Sequence, residues 1–347
     1  MPDKNAIKII FTGDIMIGGG LSDLIESTSA CHLFSHLQPL FSDADIVFGN
    51  LEAPLSNEGT PAQNKILLHQ HEKCLHILKQ LNYSVLSLAN NHIMDYGTEA
   101  FLDSQRVLNE NALQTIGGGK NIHEARKPAR FSIKGADIYF LSYSSPSTEK
   151  TNPLTIAQNN APGMAPFDLE IIQEDIQSAK SEGDHIIVSL HWGDEAYRYP
   201  FPEQQEFGRK IIEMGADIIV GHHPHLFQGV ERYQNGLIFY SLGNFIFGNF
   251  IFPDGRLNEW RSRYRRTALV KATLHADQPT EYNLVPMILD SHGIPHVPDH
   301  PERLMYEFDK ISRPLTKKDY QSSFKRLEIM EKFDILKDKI MSKLTKS

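Results

Sequence analysis

The chain has little cysteine: two residues, Cys31 and Cys74, with no C-x-x-C spacing among 347. A disulfide scaffold, a thiolate zinc site and a dithiol redox pair are thereby excluded, and the pair reads as reduced thiols of an intracellular protein. Long apolar runs are missing too. No stretch approaches the ~20 apolar residues of a membrane span. The stretch Ala6–Phe11, which follows Met1-Pro2-Asp3-Lys4-Asn5, is too short for the core of a secretion signal. The expected location is the cytoplasm. There is no excess of positive charge either. A net charge of −8 argues against general affinity for nucleic acid. Internal repeats and low-complexity tracts are absent, so solenoid and disordered architectures do not apply.

What is present is an alternation of short apolar runs and helical patterns over the first 295 residues. Strands are expected at Ile7–Phe11, Asp45–Gly49, Ser84–Leu88, His185–Leu190, Asp217–Val220 and Leu237–Tyr240. Helices are expected at Leu33–Leu40, Glu72–Leu81, Thr98–Asn111, Asp168–Glu182 and Pro202–Met214. Phe131–Tyr143 and Thr267–Leu274 alternate apolar and polar residues and read as half-exposed strands. Strands alternating with helices indicate a layered α/β fold. Residues 148–163, rich in Pro, Asn and Gly, read as a mobile surface loop. Residues 296–347 change character and read as a C-terminal helical extension, with helices at Leu304–Ile311 and Lys317–Leu344 that pack on the core or on a partner.

Each expected strand ends in a polar cluster, where open α/β sheets place their ligands. The clusters supply Asp14, Glu52, Asn91 with His92, His191, and the run Gly221-His222-His223-Pro224-His225. Carboxylate, amide oxygen and imidazole together suit a borderline divalent ion such as Mn²⁺, Zn²⁺ or Fe²⁺. A carboxylate can also bridge two such ions. Three histidines around one proline have little structural purpose in a surface loop, and Pro224 would fix where the rings point. Trp192, beside His191, reads either as a wall of the site or as a buried core indole. Arg265 and Arg266, in a basic stretch with Arg261 and Arg263, read either as grips for an anionic substrate or as solvated surface. The triplets Gly18–Gly20 and Gly117–Gly119 read as loops or as anion cradles.

The runs from Phe11-Thr-Gly-Asp to Gly18, Gly49-Asn-Leu-Glu-Ala-Pro54 and Leu88-Ala-Asn-Asn-His to Gly97 resemble, in order, motifs of the CapA family. So do His191-Trp-Gly-Asp-Glu195, Gly215–His225 and Tyr240–Phe247. That family is named for poly-γ-glutamate capsule biosynthesis and is a branch of the calcineurin-like metallophosphoesterases. The resemblance implies a four-layer α/β sandwich, two mixed β-sheets flanked by helices, with two metal ions at the strand ends. It places Asp14 on one ion, Glu52 between both, Asn91, His191 and His223 on the second, and His225 back on the first. His92 would stand beside the ions as an acid or substrate contact. The run of histidines offers two registers, so His222 competes with His223 for its place. Where the superfamily motif is D-x-H, the third position here is Met16, a poor ligand for these ions; Met16 is expected in the core, and the first site to be more open.

Three functions follow as expectations. The first is a metal-dependent hydrolase of phosphoesters or glutamyl and peptide-like amides, with Asn91, His92 and His222 near the reacting bond. The second is an accessory component of poly-γ-glutamate or other polymer biosynthesis, bound to its partner proteins. The third is a metal-dependent peptide epimerase. The substrate in each is anionic or peptide-like and small.

Overall fold

Ile7, Ile9 and Phe11 project from one face of the first strand and Ile10 from the other, and all four are buried. A strand apolar on both faces needs cover on both, and that requirement sets the layering. The computed structural model describes residues 5–344 except 28–29, 64, 150–152, 253, 259, 277 and 318; for 23, 26–27, 30–31 and 337–344 it describes the backbone alone.

The two main sheets use fourteen strands, in chain order β1 (Ile7–Met16), β2 (Ile46–Leu51), β3 (Val85–Ser87), β4 (Gln114–Ile116), β5 (Ala129–Ile133), β6 (Ala136–Ser144), β7 (His185–His191), β8 (Ile218–His222), β9 (Phe227–Tyr233), β10 (Gly236–Leu242), β11 (Asn244–Phe247), β12 (Arg266–Leu274), β13 (Glu281–Leu289) and β14 (Pro295–His296). The first sheet runs β14-β13-β12-β1-β2-β3-β4, with β11 joined in parallel to the end of β1. Strands β1 to β4 are parallel, whereas β12, β13 and β14 are antiparallel additions. The second sheet runs β9-β10-β8-β7-β6-β5, parallel in its four central strands and antiparallel at both edges.

Between the sheets lie Ile9, Phe11, Phe48, Phe140, Ile187, Val220 and Phe239. Outside the first sheet, Ile10, Val47 and Leu86 pack on Phe34, Phe41, Ile77 and Phe101. Outside the second, Leu141, Val188 and Ile219 meet Ile172 and Ile176 of helix Leu169–Lys180 and Ile211 of helix Pro202–Met214. The molecule is therefore a four-layer α/β sandwich of two mixed sheets flanked by helices. Helix ends follow local chemistry. Asp168 caps its helix by accepting from the Glu170 and Ile171 amides, and Gly215, left-handed at φ 118°, ends the helix that Pro202 begins.

Several expectations need correction. Phe131–Tyr143 is not one half-exposed strand but the hairpin of β5 and β6, turned through Lys134 and Gly135, both at positive φ. Only β5 alternates in exposure; β6 enters the sheet interior and is buried from Ile138 onward. β12 is likewise mostly buried, because Ala268, Val270 and Ala272 face the other sheet while Leu269 joins the outer core. Leu33–Leu40 is broken into three short turns, the last led by Gln38-Pro39. Strands β4, β9, β11, β13 and β14 were not foreseen. Within 148–163, residues 150–152 lie outside the described residues; of the remainder, Ala157 and Met164 exchange backbone hydrogen bonds with their neighbours across the loop, and Gln158 pairs with Ala161.

The C-terminal segment starts inside the first sheet, at β14. Helix Pro301–Ser312 then sets Leu304, Phe308 and Ile311 into the core, with Phe308 stacked on Phe227 at 3.9 Å. The last helix, Tyr320–Leu344, seats Tyr320 and Phe324 against the second sheet's helices.

Candidate metal centre

Parallel strands end at a common edge, so β1, β2, β3, β7 and β8 deliver their terminal residues to one place. At β1 the chain bulges on both sides of Asp14, which aims the carboxylate. Gly13 makes this possible: a Cβ there would lie 1.8 Å from the Gly243 carbonyl, the group that accepts from the Asp14 amide at 2.9 Å. Glu52 follows β2 and donates its amide to Ile15 at 2.9 Å. The turn after β3 is pinned by Asn90, whose side-chain amide donates to Asn50 Oδ1 at 3.1 Å and to the Leu51 carbonyl at 2.9 Å. His191 and His222 end β7 and β8 in register with each other.

The resulting cluster is buried and dense. Glu52, His191 and His223 bring one ligand atom each to within 4.8 Å of one another, and Asp14, Glu52 and His225 do the same. Glu52 belongs to both groups. Its Oε1 faces His225 Nε2 at 3.5 Å and His191 Nε2 at 3.9 Å and has no hydrogen-bond partner. Asn91 Oδ1 lies 2.9 Å from His191 Nε2. His222 turns the other way: its Nδ1 meets Asp14 Oδ1 at 3.1 Å, its ring leans on Phe48, and it backs the carboxylate from inside the core. His92 is fixed through Nδ1 to Asp95 Oδ2 at 2.8 Å, leaving Nε2 for the cleft.

The histidine turn is not the surface loop expected from its composition, for His222, His223 and His225 are all buried. Nor does Pro224 alone set it. His223 and His225 both adopt left-handed backbone, at φ 97° and 57°. Non-glycine residues there cost about 1–3 kcal/mol each and persist where surrounding structure over-determines them.

Burial alone would raise the Asp14 carboxyl, but hydrogen bonds and charge from His222 and His225 hold it well below the usual range. Glu52 is pushed well above its usual range, first by burial and then by the Asp14 charge. Burial and the neighbouring His223 drive His191 well down, favouring the neutral, ligating form. Burial would lower His225, but its hydrogen bond to Asp14 and the Asp14 charge raise it. The partnerless Glu52 oxygen lies between these two rings, where a divalent cation, which displaces protons from the imidazoles it binds, would satisfy it. The residues present fit such a group.

A profile described as "Bacterial capsule synthesis protein PGA_cap" matches residues 8–249. The chain belongs to this family. Among relatives of the PGA_cap chain, the "PGA biosynthesis protein CapA" of Bacillus subtilis (strain 168) is 33% identical over 316 residues, covering 90% of this chain and 78% of that one. The "Capsule biosynthesis protein CapA" of Bacillus anthracis is 28% identical over 323 residues, covering 91% and 74%. The fold is shared with the crystal structure of a hypothetical protein from Thermus thermophilus, at a TM-score of 0.50 and 12% identity, over 81% of this chain and 98% of that one.

In this PGA_cap chain the cluster opens on a cleft of about 310 Å³ lined by His92, Glu195, His225, Trp260, Arg261, Tyr264 and several phenylalanines. Trp192 is not among these residues. It points through the second sheet, stacks on Tyr240 at 5.9 Å and donates to the Tyr240 carbonyl at 2.9 Å, as a core indole. Neither Arg265 nor Arg266 lines the cleft; Arg266 pairs with Glu307 at 2.6 Å, and it is Arg261 that reaches the opening. Met16 is buried among Ala53, Leu68 and Phe247, as its poor ligating chemistry implied. In the first glycine triplet, Gly18 and Gly19 serve close backbone approach: a Cβ on either would lie within 2 Å of a carbonyl oxygen; in the second, Gly117 and Gly118 are packed against the side chains of Ala89 and Phe101. Sequence reasoning missed Asn244, which holds His225 Nδ1 at 2.7 Å, and Lys65, whose ammonium bonds Asn91 O at 2.6 Å, Asp95 at 2.8 Å and Glu149 at 3.0 Å.

Proposed function

We propose that this chain is a metal-dependent hydrolase of an anionic phosphoester or a glutamyl or peptide-like amide. One observation carries the reading: two donor triads share Glu52, and the shared oxygen is buried without a partner. Asp14 and His225 would hold one divalent cation, Mn²⁺, Zn²⁺ or Fe²⁺, and His191, His223 and the Asn91 amide oxygen a second, with Glu52 between them. When bound, such a pair supplies Lewis acidity and activates water. His222 keeps Asp14 oriented and ionised. His92, held by Asp95, presents a proton to the leaving group. Arg261 at the cleft mouth gives an anionic substrate a bidentate partner.

The test loads purified protein with Mn²⁺ and assays generic phosphodiesters and γ-glutamyl amides. Hydrolysis that disappears with chelator and in His191→Ala supports the reading; hydrolysis surviving both refutes it. A second reading, an accessory role in polymer biosynthesis with other proteins of that process, is favoured by the names of the CapA relatives. Full biological function in His191→Ala would support it. Met16, by leaving the first triad without a further imidazole, favours metal-assisted epimerisation as a third, read by α-proton exchange in deuterated water.

A further inference from the structure

The last helix, Tyr320–Leu344, is apolar on two opposite sides. One side is accounted for: Tyr320, Phe324 and Leu327 pack on the core, and Glu331 pairs with Arg263. The other exposes Ile329, Met330, Phe333 and Leu336, each more than half open to solvent at 55%, 54%, 67% and 53%. At roughly 100° per residue, Ile329, Phe333 and Leu336 fall within about 60° of one another.

Charge is sorted along the same axis. On the helical wheel Lys325, Arg326 and Lys332 fall on the same half as the stripe. Among the described side chains, the acids Glu328, Glu331 and Asp334 fall on the opposite half of the wheel, where Glu331 meets Arg263 and Glu328 reaches across to Lys332 at 2.6 Å. An apolar stripe flanked by cations and free of acids occurs here in a chain whose net charge is −8.

We propose that this helix lies on an anionic lipid surface, its stripe in the boundary of the acyl chains and its lysines among the headgroups. The chemistry selects this occupant. An acidic polymer alone would leave four large apolar side chains in water. A second copy of the chain would set the cations of one stripe beside those of the other, and the nearest acid, Glu328, is already engaged with Lys332. A leaflet of anionic lipid satisfies stripe and cations together. The helix lies on the surface and does not cross it: no helix among the described residues is long and apolar enough to span a membrane.

The test is co-sedimentation of the full chain with phosphatidylcholine vesicles and with equimolar phosphatidylcholine–phosphatidylglycerol vesicles, at 0.1 and 0.5 M NaCl. The expected result is binding to the anionic vesicles only, weakened at the higher salt. Phe333→Asp/Leu336→Asp, at exposed positions outside the core, should weaken binding more than tenfold with an unchanged melting temperature. Lys325→Gln should weaken it roughly fivefold. No sedimentation with anionic vesicles, or binding indifferent to the double substitution, overturns the proposal. So does self-association that the double substitution abolishes while vesicles bind nothing, which would assign the face to a second copy.

Discussion

Replacing Glu52 by Gln separates the structural role of the central carboxylate from the ligand role proposed for it. In the wild-type chain the Glu52 side chain is buried beside Asp14, and only Oε2 has a donor, the Asn50 amide at 3.3 Å. Glutamine keeps the size and an oxygen for Asn50, and it puts an NH₂ where the unpartnered Oε1 stood, facing the nitrogens of His191 and His225. Without cations, E52Q should therefore melt no lower than wild type, because a carboxyl whose ionised form is disfavoured by burial and by the Asp14 charge has been replaced by a neutral amide of the same size. With cations the order reverses. One ion at 100 times its Kd stabilises the folded state by about 2.7 kcal/mol. An unfolding entropy of about 2.1 cal/mol/K per residue, over a chain of this length, converts that to about 4 °C for one ion and twice that for two. Glu52 serves both triads, so E52Q should lose nearly all of the shift. The assay is thermal denaturation of both proteins in EDTA and across a Mn²⁺ series. The reasoning fails if E52Q keeps more than half of the wild-type shift, or if its EDTA melting point drops by more than about 3 °C, which is ~2 kcal/mol at that slope.

Single ligand losses should be graded. His223→Ala and His225→Ala each dismantle one triad and should lower bound metal by about one equivalent by elemental analysis, whereas His222→Gln, which backs Asp14 without facing the shared oxygen, should retain more metal than either. Trp192→Ala should cost about 3–5 kcal/mol of stability in denaturant titration and leave metal stoichiometry unchanged, since the indole is on the far side of its strand from the cluster. Gly13→Ala should be poorly folded or metal-free by circular dichroism and metal analysis, because its Cβ would displace the Gly243 carbonyl; a stable, metal-replete G13A would contradict the close approach of β1 and β11. Asp95→Asn should lower kcat more than KM in whichever hydrolysis is found, by freeing the His92 ring.

The layers and the cluster were legible in the sequence for different reasons. Runs such as Ile7–Phe11 are short, mostly apolar and followed within three residues by a ligand-type residue, so run length and chain order sufficed. Glu52, Asn91 and His191 could be grouped because parallel strands deliver their ends to one edge. The side that Trp192 takes was also readable: adjacent strand residues point oppositely, and His191 faces the cluster. What escaped depends on contacts between distant segments. Lys65 acts on Asn91, 26 residues on, and Asn244 on His225, 19 residues back; neither bears a local pattern. The arginines defeated composition altogether, since Arg261, Arg263 and Arg266 go respectively to the cleft, to Glu331 and to Glu307.

The left-handed backbone at His223 and His225 means that the turn is held in its shape against its own conformational preference, and glycine would occupy it with less strain. Imidazoles at both positions tie the local order of residues 221–226 to whatever grips the two rings. The turn is then a reporter of occupancy: its amides should exchange hydrogen quickly in the metal-free chain and slowly once both rings are held, while the strands that carry it stay protected throughout.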